Sequence, residues 1–278
     1  MKKVNNWRML MLAAVLVFAC QPAQKEESAE ESSAEEPVVE AAVDNALTAA
    51  EEADGWMLLF DGTTSNGWRG YKKDVFPKAW EVVDGSIHII GSGQGEIGAD
   101  EGGDIIYAEK MFGNFHMKLE WRVDSAANSG IFYRGQESGD FDYIWKTGPG
   151  MQVLDNVNHP DASKGANGNR QSSSLYDLIA ASPQNSKPFG EWNQVELLAR
   201  GNEIRHIQNG DTVVSYTIGS ARMDSLIAIS KWPNENPNWG AIAAEGYIGL
   251  QDHGDNVWFK NIKIKELRDL FNSFMVLN

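Results

Sequence analysis

Only one cysteine, Cys20, occurs among the 278 residues. No intrachain disulfide can form, so any fold has to rest on its core. Basic residues are also scarce: 24 Lys and Arg stand against 39 Asp and Glu, a formal net charge of −15. Such a chain presents no broad cationic surface to a phosphate backbone, which argues against nucleic acid as a partner. No apolar run is long enough to cross a bilayer as a helix, which takes ~20 residues. The longest, Met9 to Ala19, has 11. Neither an HExxH helix nor an EF-hand loop is present, so no metal signature can be read directly.

What the first residues do contain is a secretion pattern. Lys2, Lys3 and Arg8 form a basic start, and the 11-residue apolar run follows it. The run ends in Val17-Phe18-Ala19-Cys20, which resembles a bacterial lipobox. Residues 1–19 are therefore expected to be a signal peptide. Cys20 is expected to be acylated, making a lipid anchor to a membrane of the cell envelope on its periplasmic or surface side. Several acyl chains hold stably, because each buried CH₂ contributes ~0.8 kcal/mol. Residues 20–54 read as a disordered tether. From Gln21 to Asp54 there are eleven acidic residues and one base, Lys25, and the first aromatic after them is Trp56. A segment of this kind cannot bury enough apolar surface to offset its ordering entropy. It carries −10 of the charge; Lys2, Lys3 and Arg8 contribute +3, which leaves −8 for the rest.

Residues 55–267 are expected to form one domain, with 268–278 as a C-terminal tail. Ser86 to Ile90, Phe115 to Val123, Trp192 to Ala199, Thr212 to Tyr216 and Val257 to Ile264 alternate apolar and polar with period two, the mark of half-buried strands. Turn pairs separate them: Asp61-Gly62, Asp84-Gly85, Asn209-Gly210 and Asp255-Asn256. Short helical pieces are expected near Ser172 to Ile179 and Ala221 to Leu226. The pattern predicts an all-β sandwich of jelly-roll type. Two stretches, residues 136–186 and 231–241, break the strand rhythm. Long irregular loops in a compact domain usually carry function.

In and around these loops lies a set of ordered motifs. They run Asn128-Ser129-Gly130-Ile131-Phe132-Tyr133-Arg134-Gly135, Met151-Gln152-Val153-Leu154-Asp155-Asn156, His159-Pro160-Asp161-Ala162 and Ser174-Leu175-Tyr176-Asp177. Gly190-Glu191-Trp192-Asn193, His206-Ile207-Gln208-Asn209-Gly210 and Gly249-Leu250-Gln251-Asp252-His253-Gly254 follow. Together they resemble the DUF1080 family, the 3-keto-disaccharide hydrolases, over nearly all of residues 55–267. The resemblance implies a concanavalin A-like β-sandwich with long loops over a concave face. It also implies cleavage of 3-keto-glycosides, with an oligosaccharide or glycoside as substrate.

A 3-keto group acidifies the proton on C2 of the sugar. A base can remove it, and the enolate then expels the group at C1; water addition completes a net hydrolysis. Such a site needs a base, a cation or donors at the keto oxygen, and an acid for the leaving oxygen. With the resemblance as guide, His253, Asp155, Arg134 and His206 are the candidate catalytic groups. Gln152, Tyr176 and Gln251 are candidate substrate contacts, with Trp145, Trp232 and Trp239 in the irregular loops as faces for sugar stacking. Gln152 and Asp155 lie three apart and would point to opposite faces of an extended strand, so one of them is expected to be structural unless a bulge re-aims it. A divalent ion, calcium or zinc, could be held by Asp155, His159 and Asp161, with Asp177 and His253 as further donors. His88 and His116 sit on alternating strands and read as structural. Two rival functions remain: a non-catalytic glycan-binding lipoprotein, and a conventional endo-glucanase with two carboxylates. The ExDxxE strand of glucanases with this fold is missing, which weighs against the second.

Overall fold

A computed structural model describes residues 43–268, apart from residues 96, 97, 100 and 140. The expected signal peptide, Cys20, the first part of the expected tether and nearly all of the expected C-terminal tail lie outside the described residues. No described helix is long and apolar enough to cross a membrane.

Thirteen strands build two antiparallel sheets: β1 (Trp56–Leu58), β2 (Trp68–Gly70), β3 (Trp80–Val83), β4 (Ser86–Ile89), β5 (Ile105–Tyr107), β6 (Phe115–Val123), β7 (Asn128–Gly135), β8 (Gly150–Leu154), β9 (Asn193–Arg200), β10 (Glu203–Gln208), β11 (Asp211–Thr217), β12 (Tyr247–Leu250) and β13 (Val257–Glu266). The eight-stranded sheet runs β11-β10-β9-β6-β13-β4-β3, with β1 paired to the far half of β13. The five-stranded sheet runs β2-β5-β12-β7-β8. This is the β-sandwich that the strand pattern predicts. Along β6 burial alternates residue by residue, so Phe115, Met117, Leu119, Trp121 and Val123 all enter the core. Among the described residues, three short α-helices are α1 (Ala49–Ala53), α2 (Ala221–Ala228) and α3 (Trp232–Glu235). The helix expected near Ser172 to Ile179 does not form. That stretch folds as turns joined by Met151↔Leu175 and Leu175↔Ile179 bridges, and Ser172, Ser173 and Ser174 are buried with their side chains hydrogen-bonded. β8 lies inside the stretch expected to be irregular.

Of the three register shifts among the described strands, two bear on the domain boundary and the site. On β13 the register shifts between Lys260 and Lys263, and Asn261 adopts φ 54°. Val257 and Phe259 before the shift, and Ile262 and Ile264 after it, can then all face inward. The bulge also corrects the domain boundary. The Asn261 Oδ1 accepts the Asn45 N–H at 2.6 Å, and the Asn261 N–H donates to Asn45 Oδ1 at 2.9 Å. Asp44 pairs with Lys260 at 2.6 Å; Glu51 pairs with Lys263, and Asp54 with Lys265. Thr48 and Glu51 close a capping box on α1. The last dozen residues of the supposed tether are therefore part of the domain. Their acids neutralise outward lysines of β13, which composition alone does not reveal. The second bulge lies on β7, where the register against β12 shifts between Tyr247 and Gly249. Arg134 sits there with φ 55°.

Candidate active site

The five-stranded sheet turns one face to the eight-stranded sheet. On that side the Tyr133 hydroxyl bonds His206 Nε2 at 2.8 Å and the Tyr216 hydroxyl at 2.7 Å. The other face carries an open cleft. Because side chains alternate along a strand, Asn128, Gly130 and Phe132 of β7 form its floor with Gly150 and Gln152 of β8. Gln251 and His253, just after β12, close one side. Trp145, Tyr176, Lys231 and Trp232, all from the long irregular segments, form the opposite wall.

The floor is amide-rich. Gln152 Nε2 donates to Asn128 Oδ1 at 2.9 Å. A Cβ on Gly130 would lie 3.0 Å from Gln251 Oε1, and one on Gly150 would lie 2.7 Å from Phe132 Cε1. Both glycines are thus needed to let neighbouring side chains lie over the strands. The wall is a stacked aromatic group. Trp232 lies parallel to Trp239 at 4.5 Å, Trp145 stands 6.1 Å from Trp232, and Trp239 Nε1 donates to the Trp145 carbonyl at 2.9 Å. Trp239 therefore supports the wall from behind, correcting its expected role as a sugar contact.

His253 stands on a fixed turn. Its Nδ1 lies 3.3 Å from Asp255 Oδ2, which also accepts the Asn128 N–H at 3.1 Å. The buried Asp252 carboxylate accepts N–H groups of Ala99, Gly103 and Gly254, tying the turn to the neighbouring loop. His159 comes against His253, ring centroids 5.8 Å apart. Burial pushes the His159 pKa down, helped by the His253 charge and opposed by Asp255 and Asp161.

Four further predicted site residues lie elsewhere. Arg134 is 2% exposed and its guanidinium donates to the carbonyls of Gly113 and Gly201 at 3.0 and 2.6 Å. The β7 bulge turns it off the floor that alternation would assign it beside Phe132, and burial lowers its pKa. His206 is fully buried between the sheets; its Nδ1 bonds the Ser173 carbonyl at 2.8 Å, and burial brings its pKa down to about 4. Asp155 ends β8 as a backbone cap, accepting from Ala126 at 2.8 Å, Val157 at 3.0 Å and Asn158 Nδ2 at 2.7 Å. Burial raises its pKa, but these bonds outweigh it and the net shift is down. The odd spacing from Gln152 is resolved with Gln152 on the floor and Asp155 structural. Asp161 accepts the Tyr176 hydroxyl at 2.7 Å and Arg170 Nη1 at 3.1 Å. Burial and the Asp161 charge both raise the Tyr176 pKa, so the phenol stays protonated.

The expected metal set Asp155, His159 and Asp161 does not converge, since both carboxylates are committed to the donors just named. Asp177 is likewise held by Arg170. His159, His253 and Asp255 do come together, with ligand-capable atoms within 4.8 Å of one another. The His159 tautomer disfavours an ion there. Its Nδ1 accepts the Asp161 N–H at 3.1 Å, so, with the ring orientation assigned from that bond, the neutral ring keeps its proton on Nε2 and neither lone pair is free.

Sequence reading missed Asn128, Phe132, Lys231 and Asp255. Asn128 and Phe132 share the parity of Gly130 in one quoted motif, and Asp255 lies two residues from His253. Lys231 carries no signal beyond its place beside Trp232.

The chain is 44% identical to a 3-keto-disaccharide hydrolase of Bacteroides thetaiotaomicron, over 290 aligned positions covering 96% of this chain and 100% of that protein. In structure it is similar to a Parabacteroides distasonis protein provisionally named a glycosyl hydrolase, at 32% identity and a TM-score of 0.72, covering 81% of this chain and 100% of that one. A second such protein from the same organism aligns at 26% identity and a TM-score of 0.54, covering 77% and 84%. A family model described as the 3-keto-alpha-glucoside-1,2-lyase-like domain matches residues 55–265. This chain belongs to the 3-keto-alpha-glucoside-1,2-lyase-like family.

Proposed function

We propose that this protein is an enzyme that cleaves 3-keto-glycosides by elimination, with His253 as the base. One observation carries the reading: among the described residues, no Asp or Glu lines the cleft. A conventional glycosidase needs two carboxylates flanking the scissile bond, and the described lining residues include no such pair. An elimination needs no such pair. Asp255 at Nδ1 favours the tautomer with the proton on Nδ1, which puts the ring's basic lone pair on Nε2. His253 removes the C2 proton, the enolate expels the C1 oxygen, and water adds to the enone to complete a net hydrolysis. The aromatic wall and amide floor suit the faces and hydroxyls of a sugar ring. The name of the Bacteroides relative and the family description support the same substrate class.

The test uses a pair of substrates, a 3-keto-glucoside and its unoxidised parent. The expected result is release of the aglycone from the first alone, unchanged by EDTA. Comparable release from both would overturn the elimination. Release from neither would point to a glycan-binding module. Loss of activity in EDTA, restored by a divalent ion, would return a metal to the His159 group.

A further inference from the structure

An elimination through an enolate builds negative charge on the 3-keto oxygen, and that charge needs a counterpart in the cleft. Arg134, the expected cation, faces the interior. Lys231 is the sole lysine or arginine among the lining residues. Its Nζ lies 5.2 Å from the Trp145 ring centroid, 4.8 Å from Tyr176 and 5.0 Å from Trp232. Three ring faces hold the ammonium by cation–π attraction, and no carboxylate among the described residues forms an ion pair with it.

The mount is rigid. The Lys231 N–H donates to Asp177 Oδ2 at 3.1 Å, and Arg170 Nε holds the other Asp177 oxygen at 2.6 Å. Arg170 also binds Asp161, which fixes the Tyr176 hydroxyl. The same network thus places both the cation and one wall of its cage. A carboxylate partner would neutralise the charge permanently; aromatic faces keep it available for an anion that forms and disappears.

Resting on the elimination reading above, we propose that Lys231 is the cation that stabilises the enolate oxygen, so that the oxidised carbonyl of the substrate binds beside the Trp145–Tyr176–Trp232 wall. The ammonium acts by its charge and transfers no proton. The C2 proton passes to His253, its electron pair forms the enolate with the charge on the 3-keto oxygen, and collapse of the enolate breaks the C1–O bond; that bond's electron pair leaves on the aglycone oxygen, which takes the proton back from the His253 imidazolium.

The experiment compares the wild type with Lys231→Met and Lys231→Arg on p-nitrophenyl 3-keto-glucoside. It also follows C2 exchange in D₂O on 3-keto-1,5-anhydroglucitol, which carries no aglycone and reports enolisation. Loss of an oxyanion-stabilising group typically costs ~10²–10³ in kcat. Lys231→Met is therefore expected to lose that much in release and in exchange alike, with KM changed only a few-fold and the thermal midpoint kept. Lys231→Arg, which keeps the charge, should recover most of both rates even if the Met variant folds poorly. A raised KM with unchanged kcat would overturn the inference and leave Lys231 a wall residue. Slow release with full exchange would also overturn it, by moving Lys231 to the leaving oxygen. If the wild type releases nothing from the keto substrate and exchanges no C2 proton, the elimination itself fails and the inference falls with it.

Discussion

His253 and His206 show how one residue type takes opposite roles through its surroundings. His253 borders the cleft with Asp255 behind it. His253→Ala is expected to lose ~10²–10⁴ of the turnover on a 3-keto-glucoside, the usual span for a general base. Its circular dichroism should stay unchanged; unaltered turnover would remove it from the site. His206 is sealed between the sheets and bonded to Tyr133 and Ser173. Its folded pKa of about 4 lies below the ordinary 6.5. The unfolded chain takes up a proton as pH falls through 6.5, while the folded chain does so only near 4. Stability is thus kept above pH 6.5 and drains away between 6.5 and 4, by on the order of 3 kcal/mol in total. His206→Gln weakens the core but should flatten the slope of stability against pH in that window. Urea titrations at pH 7, 6, 5 and 4 would show it, and an unchanged slope would assign the acid sensitivity elsewhere.

At the scale of elements, the cleft depends on two strands that lie flat enough for large side chains to rest on them. Gly150 makes room for the Phe132 ring, since a Cβ there would approach it to 2.7 Å. Gly150→Ala is expected to cost about 1–3 kcal/mol by overpacking. It should also raise KM by lifting Phe132 into the cleft, and calorimetry with steady-state kinetics would separate the two effects. The strands themselves were legible from alternation, and β6 and β9 form where the period-two pattern put them. The bulges were not. Arg134 follows the parity of Phe132 in the sequence, and only the register against β12 shows that an extra residue is absorbed there. The Asn261 bulge is visible afterwards as a slip in the apolar positions of β13, but its consequence, a dock for Asn45, needs both segments in place.

At the scale of the whole molecule, the proposed lipid anchor would set where the enzyme works. Cys20 ends an apolar run that resembles a lipobox, and we propose that this protein is exported and held to the envelope there. Cys20→Ser is expected to abolish palmitate incorporation and move the protein from membrane to soluble fractions. Membrane retention without label would overturn the anchor. The acidic segment beyond it divides: its last dozen residues join the sandwich through β13 lysines, which its composition gave no reason to expect.

The sequence by itself determined that the fold is a β-sandwich and that the chain belongs to its family. Alternation and turn residues act locally, and the ordered motifs can be read without knowing where they meet. Tertiary structure decided who shares the cleft. His253, Gln152, Gln251, Tyr176, Trp145 and Trp232 converge because the long segments fold back over the five-stranded sheet. Arg134, Asp155, Asp161 and His206 do not, because a bulge, a backbone cap, an ion pair and a core contact claim them first. The physical reason is that a polar side chain's partner is set by three-dimensional proximity. Burial penalises any group left without one, and neither term is written in the residue's own neighbourhood of the chain.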